Sequence, residues 1–303
     1  DDTYLYAGTG NTATDGDLWR FDGTTWGTNP IGGTRNDTNA VMNSSWAANT
    51  YERVTAIAIY NGLVFVGLGS SAGDAEVWRW NGSTWGGARI GGDGGNSSWA
   101  NTTYESVRSL VFVGSTLYAG LGETGDESAT ADAEVWACSN CTNTGATADW
   151  GTTPIGGNTG SANNWNDTDY EGVNSLIVYN GELYALLGLN VTAFSEAGDA
   201  ELWRYNPSVG TDSWSKVGGD GVGTPASWST NYEGGNALGV FNGRLYVGLG
   251  DTSQTGAASD AEVWEYGGNV AHIASSSTSS WTSGTWRHIA AVYDGAAQTA
   301  KIY

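Results

Sequence analysis

The sequence predicts an all-β fold, specifically a five-bladed β-propeller built from four-stranded antiparallel blades. The first observation is a repeated unit of apolar strands and tight turns. It begins with Tyr-Glu at Tyr51, Tyr104, Tyr170 and Tyr232, so the spacings are 53, 66 and 62 residues. A recurrence of this size indicates a repeat architecture. The second observation is a tryptophan in the third strand of each unit, which occurs five times: Trp19, Trp78, Trp136, Trp203 and Trp264.

Four strands are predicted within the second unit. Residues 54–60 are β-branched and apolar, and Asn61-Gly62 supplies the positive φ angles that a two-residue hairpin turn requires. Residues 63–69 return as the second strand, and residues 74–80 alternate with the period of two that is typical of a strand. Residues 85–90 form the fourth strand. Short hairpins between these strands favour a propeller blade over a helical repeat.

The repeats occupy nearly the whole chain, which predicts a single propeller domain. The N-terminal unit lacks a first strand, whereas residues 288–295, with the letters HIAAVYDG, parallel the first strand of the second unit. We therefore expect the C-terminal strand to close the ring by pairing with residues 3–8, because a closed ring leaves no free sheet edge. The expected repeats are 1–50, 51–103, 104–169, 170–231 and 232–303.

The amino-acid composition limits which classes of partner are expected and favours one cellular location. The chain has 32 acidic residues against 11 Lys and Arg, a formal charge of −21, and such a surface repels phosphate backbones and anionic headgroups. Nucleic acid is therefore not expected as a partner. No apolar run approaches the length of a membrane span, so direct membrane insertion is not expected either. Loops rich in Gly, Ser, Thr and Asn favour an extracellular or cell-surface protein.

The two cysteines, Cys138 and Cys141, lie together in an insertion between the third and fourth strands of the third repeat. In an extracellular chain they are expected to form a local disulfide. A thioredoxin-like redox pair requires a helix N-terminus behind the first Cys, where this chain has a predicted strand. A zinc site that adds His272 and His288 lacks regular ligand spacing. No metal site is therefore expected at the cysteines.

The order of motifs within each unit resembles the kelch repeat of galactose-oxidase-like propellers. An apolar strand and a turn precede Leu-Tyr-Val-Gly-x-Gly, which is followed by an acidic residue, Val-Trp-x-Tyr, a turn and a Trp. The chain departs from kelch in that its Gly pair follows the fourth strand, as in Gly91-Gly92. Five blades with aromatic loops resemble the tachylectin type of propeller lectin. Residues 286–303 resemble the opening strands of a laminin G-like domain.

An aromatic pair recurs in the loop that links each blade to the next. Flat aromatic faces beside Asn and Thr side chains suit sugar rings, which stack through C–H groups and hydrogen-bond through hydroxyls. The same residues could instead seal the apolar gaps between blades, and that alternative stays open. The ligand-binding residues predicted on the first interpretation are Trp46, Tyr51, Trp99, Tyr104, Trp165, Tyr170, Trp228 and Tyr232.

A glutamate follows the opening Tyr in four repeats, as Glu52, Glu105, Glu171 and Glu233. Because the innermost strands line a propeller axis, these carboxylates are expected near one mouth of the channel, where a calcium ion could bind between them. The alternative is that each carboxylate accepts backbone N–H groups or pairs with an Arg of a neighbouring blade, and on that basis no cofactor is expected. With two His, no Ser-His-Asp order and no metal triad, the sequence predicts no enzyme activity.

Together these observations predict a secreted or cell-surface, non-catalytic binding module for carbohydrate binding or adhesion, with several pseudo-equivalent sites in the inter-blade loops. Its partners would be glycans or neighbouring surface proteins. Repeated weak sites suit a lectin-like role because multivalency raises the overall affinity. The alternative is a structural protein, a self-assembling subunit of an extracellular surface layer, sheath or filament.

Overall fold

The computed structural model shows strands and loops throughout the part of the chain that it describes. The described residues are 3–10, 16–33, 45–46, 53–69, 75–86, 89–92, 99, 104–122, 133–157, 165, 172–188, 200–206, 214–219, 228, 232, 234–250, 261–266, 291–294 and 299–302. Within these ranges no helix is long and apolar enough to cross a lipid bilayer.

The strands follow one another along the chain with the spacing of the predicted units. In order they are β1 (Leu5–Gly8), β2 (Leu18–Phe21), β3 (Arg53–Tyr60), β4 (Leu63–Gly69), β5 (Glu76–Trp80), β6 (Gly91–Gly92), β7 (Ser106–Val113), β8 (Thr116–Gly122), β9 (Val135–Cys138), β10 (Gly172–Tyr179), β11 (Glu182–Gly188), β12 (Glu201–Tyr205), β13 (Trp214–Gly218), β14 (Gly234–Phe241), β15 (Arg244–Gly250), β16 (Ala261–Tyr266), β17 (Ala291–Asp294) and β18 (Thr299–Ile302).

Each blade is an antiparallel meander in which successive strands pair through tight hairpins. β3, β4 and β5 pair in that order, and β7–β9, β10–β13 and β14–β16 repeat the arrangement. At the first turn of the second blade, Asn61 and Gly62 have φ angles of 49° and 78°, the left-handed geometry that the Asn-Gly dipeptide predicts. The all-β, five-bladed propeller fold is confirmed.

Adjacent blades are joined where the second strand of one blade meets the first strand of the next. Gly69 of β4 pairs with Ser106 of β7, and Gly122 of β8 pairs with Gly172 of β10. A Cβ at position 69 would lie 2.4 Å from the Ser106 Cα. Glycine at the end of the second strand therefore allows two blades to approach at their inner edges.

Side chains on the inner strands add hydrogen bonds between blades. The Thr55 hydroxyl donates to the Val107 carbonyl oxygen at 2.6 Å, and the Ser109 hydroxyl donates to the Val173 carbonyl oxygen at 3.0 Å. Tyr60 stacks on Phe112 of the next blade, with ring centroids 4.6 Å apart. These contacts order the inner strands around a common axis.

The fourth strands are shorter than the sequence predicts. β13 is a continuous strand of five residues, whereas β6 consists of Gly91 and Gly92 alone. In the first blade only isolated bridges remain, between Leu18 and Gly32 and between Phe21 and Trp26. Pro30 and the surrounding glycines explain this difference, because proline lacks a ladder donor and glycine weakens a strand interior.

The C-terminal strand does not close the ring in the predicted way. β17 pairs with β18 as a separate antiparallel hairpin. β1 pairs with β2, so the described strands do not form the predicted ladder between residues 288–295 and residues 3–8. The local hairpin is favoured because its short loop costs less conformational entropy to close than a pairing between the two ends of the chain.

Candidate functional site

The tryptophans predicted to bind a ligand are buried. Trp46, Trp99, Trp165 and Trp228 are 0%, 1%, 0% and 5% exposed. Each indole Nε1 donates to a backbone carbonyl oxygen at the start of the third strand of its own blade, at 2.6–2.9 Å. Tyr104 and Tyr232 are 4% and 8% exposed, and Tyr51 and Tyr170 lie outside the described residues.

Burial of these indoles comes from packing against other tryptophans. Trp99 makes edge-to-face contacts with Trp136 and Trp150, at centroid distances of 6.0 and 5.1 Å. A Cβ at Gly91 would lie 3.1 Å from the Trp99 ring and 2.8 Å from Trp150 Nε1. The glycine pair after the fourth strand therefore makes room for two indoles. This geometry favours the packing interpretation, and a ligand-binding role for the aromatic pairs stays a prediction.

In four blades, an acidic residue of the third strand accepts a hydrogen bond from the third-strand tryptophan two residues later. The Trp78 Nε1 donates to Glu76 Oε2 at 2.8 Å, and Arg89 bonds the other carboxylate oxygen of Glu76 at 2.5 Å. The same bond from an indole to the carboxylate two residues earlier occurs at Glu134, Glu201 and Glu262. Because these carboxylates serve packing, they are not candidates for reacting groups.

A pocket of about 410 Å³ lies on the axis of the propeller, where all five blades contribute to its wall. Its volume falls in the range of small-molecule sites. The residues lining it are Gly8, Thr9, Gly10, Arg53, Val54, Thr55, Ser106, Arg108, Asn174 and Asn236.

Four of these side chains reach the pocket through a shared backbone irregularity. The ladder between the first and second strands is interrupted at the third residue of the first strand, so that this residue is left without a partner in register. The skipped residues are Thr55, Arg108, Asn174 and Asn236. Bulges turn a side chain away from the regular alternation and are common beside functional sites. The bulges explain why these positions face the axis.

Arg108 is held in place by the neighbouring blade. Its Nη1 donates to Asn174 Oδ1 at 2.7 Å, and Asn174 Nδ2 donates to the Gly235 carbonyl oxygen at 2.9 Å. A Cβ at Gly172 would lie 2.7 Å from Arg108 Cδ and Nε. The glycine therefore leaves space for the arginine side chain, and three blades fix one guanidinium at the pocket.

Sequence reasoning missed this site, although a signal for it is present. Arg53 stands where the other repeats have Ser106, Gly172 and Gly234, and Arg108 stands where they have Thr or Asn. Two of the chain's 11 basic residues therefore break the repeat symmetry on the inner strands. A departure from symmetry is what a specific site requires, because packing alone is met by the residues of the sister repeats.

The predicted ring of glutamates is described at one member only. Glu105 directly precedes Ser106 of the pocket wall and is half-buried. Glu52, Glu171 and Glu233 lie outside the described residues. Among the described residues no group of three or more His, Cys, Asp or Glu side chains is arranged to hold a metal ion, so calcium binding by this ring stays an untested prediction.

The disulfide between Cys138 and Cys141 is present, as predicted. Arg79 of the preceding blade reaches under its loop, where Nη1 donates to the carbonyl oxygens of Cys141 and Asn143 at 2.5 and 3.0 Å. Burial lowers the pKa of the Arg79 guanidinium. The disulfide loop thus serves as a contact between two blades and lies apart from the axial pocket.

No protein-family model matches this sequence, and the search of curated proteins found no significant match. Among solved structures, the chain is similar to a GH43 endo-arabinanase from Bacillus licheniformis, with 13% identity over 88% of this chain and 90% of that chain and a TM-score of 0.37. It is also similar to the alpha-L-arabinofuranosidase CtGH43 from Clostridium thermocellum, with 12% identity over 72% and 68% of the two chains and a TM-score of 0.37.

A third similar structure is the Bacteroides ovatus Xyloglucan PUL GH43B protein, with 14% identity over 69% of this chain and a TM-score of 0.35. The chain spans 37% of the length of that protein. At identities of 14% or less, the likeness concerns the fold and leaves the activity of this chain to its own residues.

These neighbours correct three predictions. The matched structures are glycoside hydrolases, so the resemblance to kelch-like and tachylectin-type propellers is not supported. The predicted non-catalytic role, whether as a lectin-like adhesion module or as a structural subunit, is contradicted by the same finding. The prediction of no enzyme activity is contradicted by the same neighbours, because the structures that the chain resembles are those of enzymes. All three predictions were based on features that recur in every repeat. Such features dominate the sequence, whereas the residues at the axial pocket are few.

Proposed function

We propose that this chain is a carbohydrate-active protein that takes its ligand at the axial pocket. The observation that carries the proposal is the convergence of polar side chains from separate blades on one concave site of about 410 Å³. Concave sites with a few convergent polar groups are the usual location of small-molecule recognition. The bulges at Arg108 and Asn174 support a specific role, since they take both side chains out of the regular alternation at the pocket wall.

The chemistry of the lining suits a hydroxylated ligand. Thr55 and Ser106 offer hydroxyl groups, and Asn174 and Asn236 offer amides that can both donate and accept hydrogen bonds. The described lining contains no aromatic ring. Recognition at this site therefore depends on hydrogen bonds to hydroxyls and charged groups rather than on stacking against a ring face.

The reaction proposed for this site is hydrolysis of a glycosidic bond. Such a reaction needs two carboxyl groups that flank the scissile bond, one as acid and the other as nucleophile or base. Glu105 adjoins the pocket wall at Ser106. Glu52, Glu171 and Glu233 occupy the same position in the other repeats and are the candidates for its partner.

The disulfide supports a location outside the cytosol. Disulfides persist in oxidising compartments and are rare where thioredoxin and glutathione keep thiols reduced. The bond between Cys138 and Cys141 therefore fits the proposal that the protein acts outside the cell, where polysaccharides are exposed to it.

The test measures binding and cleavage in the same samples. A panel of neutral and acidic oligosaccharides is titrated into the protein by calorimetry, and release of reducing ends is followed at the same time. We expect Asn236→Ala to weaken binding and Glu105→Gln to abolish cleavage while binding persists. Asn236 is exposed, so its loss should leave folding intact.

Asp22→Asn is the matched control for Glu105→Gln, because it removes one exposed carboxylate away from the pocket. Cleavage by this variant should equal that of the unmodified protein. If no oligosaccharide binds or is cleaved, the proposal fails. Binding that survives Asn236→Ala and every other change in the pocket wall would also overturn it, because the ligand would then sit elsewhere.

A further inference from the structure

The axial pocket is lined by two arginines, although the chain has only 11 Lys and Arg against 32 acidic residues and a formal charge of −21. Positive charge is therefore concentrated at this pocket in an otherwise acidic protein. From this combination we infer that the ligand is an acidic saccharide, a chain that carries uronic acid carboxylates, and that Arg53 and Arg108 bind those carboxylates. The inference rests on the proposed function and names the substrate class of the same site. Among the described residues that line the pocket, none is acidic.

Comparison of the repeats shows that the inner-strand ladder forms without an arginine at either position. Ser106, Gly172 and Gly234 open the inner strands of the other blades at the position of Arg53. Thr55, Asn174 and Asn236 fill the bulge at the position of Arg108. Blades with these smaller residues form the same ladder, so the ladder itself does not require the cations, and both of them line the pocket.

Arg108 has the geometry of a positioned anion receptor. Its hydrogen bond to Asn174 fixes the orientation of the planar guanidinium, and the absence of a side chain at Gly172 gives it room. A guanidinium presents donors in a rigid fork that matches the two oxygens of a carboxylate. Pre-orientation of the fork lowers the entropy cost of forming two parallel hydrogen bonds.

Arg53 supplies the second charge from the adjacent blade. β3 and β7 are neighbours, and Arg53 and Arg108 line the same pocket. Arg53 is exposed, whereas Arg108 is half-buried. An incoming carboxylate therefore meets a solvated cation at the mouth and a partly desolvated one further in, where electrostatic attraction is less screened.

The experiment compares each acidic oligosaccharide with its own methyl ester. Oligomers of galacturonate, glucuronate and mannuronate are titrated by calorimetry beside the esterified form, which keeps the ring and removes the charge. We expect at least one acid to bind about tenfold more tightly than its ester, because a hydrogen bond to a charged group contributes that much. Arg53→Gln and Arg108→Gln should each reduce this preference, and the double variant should abolish it.

Arg244→Gln is the matched control. Arg244 is exposed, forms an ion pair with Glu265 and lies outside the pocket, so this variant changes the net charge by the same amount and should keep the preference. Equal affinity for acids and esters would overturn the inference while the proposed function stands. Unchanged preference in Arg108→Gln with a lowered melting temperature would also overturn it, because the arginine would then be a structural counter-charge. Failure of every saccharide to bind would overturn the proposed function itself.

Discussion

The indole Nε1 of Trp99 donates a hydrogen bond of 2.9 Å to the backbone carbonyl oxygen of Ala75, which lies 24 residues earlier in the chain. This bond fastens the loop that leaves the second blade to the start of the blade's third strand. The ring itself packs between Trp136 and Trp150. One residue thus joins two neighbouring blades by a directional bond and by apolar burial.

Replacement of Trp99 by Ala should lower the free energy of unfolding by about 3–5 kcal/mol, the usual cost of deleting a large buried side chain. Trp99→Phe keeps most of the ring volume and removes the donor, so it should cost about 1–3 kcal/mol. Denaturant unfolding monitored by fluorescence measures both. If Trp99→Ala keeps its stability and loses a sugar ligand instead, the aromatic pairs are binding sites and the packing interpretation is wrong.

Substitution of Gly156 by Ala tests the space that the glycine pairs provide. A Cβ there would lie 2.6 Å from the Trp165 ring and 2.9 Å from Trp214 Nε1, so rigid indoles would have to move. Overpacking of this kind costs about 1–3 kcal/mol. Gly239→Ala is the control, because nothing lies within 4 Å of its Cβ, and its stability should stay the same or rise slightly. Equal stabilities of the two variants would contradict the close packing.

The Asp22 turn should make a pH-dependent contribution to stability. The carboxylate accepts backbone N–H groups from Thr25 and Thr24, which lower its pKa from 3.8 to about 2. Because the folded pKa lies below the unfolded one, the stabilisation is present above about pH 4 and is lost as the pH falls towards about 2. Thermal unfolding between these pH values should show a steeper decline in the unmodified protein than in Asp22→Asn.

Asn81 shows why Asp22→Asn is a suitable comparison. It occupies the equivalent turn of the next repeat and accepts the same two backbone N–H groups, from Ser83 and Thr84, at 3.0 and 2.8 Å. An amide therefore fits the turn without a titrating group. Identical pH profiles for the two proteins would show that the carboxylate of Asp22 does not contribute.

Removal of the disulfide should lower the free energy of unfolding by about 2 kcal/mol, because a ring closed by so few residues restricts the unfolded chain only slightly. A double Ser variant at Cys138 and Cys141 avoids side reactions of free thiols. Arg79→Met should also destabilise the protein, since the carbonyl oxygens of Cys141 and Asn143 lose their donor. Because both changes loosen one loop, their effects should be less than additive in chemical denaturation. Strict additivity would show that Arg79 and the disulfide act independently.

Local features of the sequence predicted the strands and turns closely. Predicted strands 54–60 and 63–69 correspond to β3 and β4 within one residue at each end. Asn61 adopts the positive φ angle that the Asn-Gly turn implies. The disulfide was predictable because Cys138 and Cys141 are three residues apart. Strand alternation, turn chemistry and short covalent rings depend on neighbouring residues, so they can be inferred without the rest of the fold.

Only the tertiary structure decided which residues form the pocket and which are buried. Thr55, Arg108, Asn174 and Asn236 are more than fifty residues apart in sequence, and they meet because the inner strands of successive blades surround one axis. The C-terminal residues illustrate the same limit. β17 has the letters of a first strand, yet it pairs with β18, because competition between a local hairpin and a distant partner depends on loop-closure entropy and on contacts that no single repeat contains.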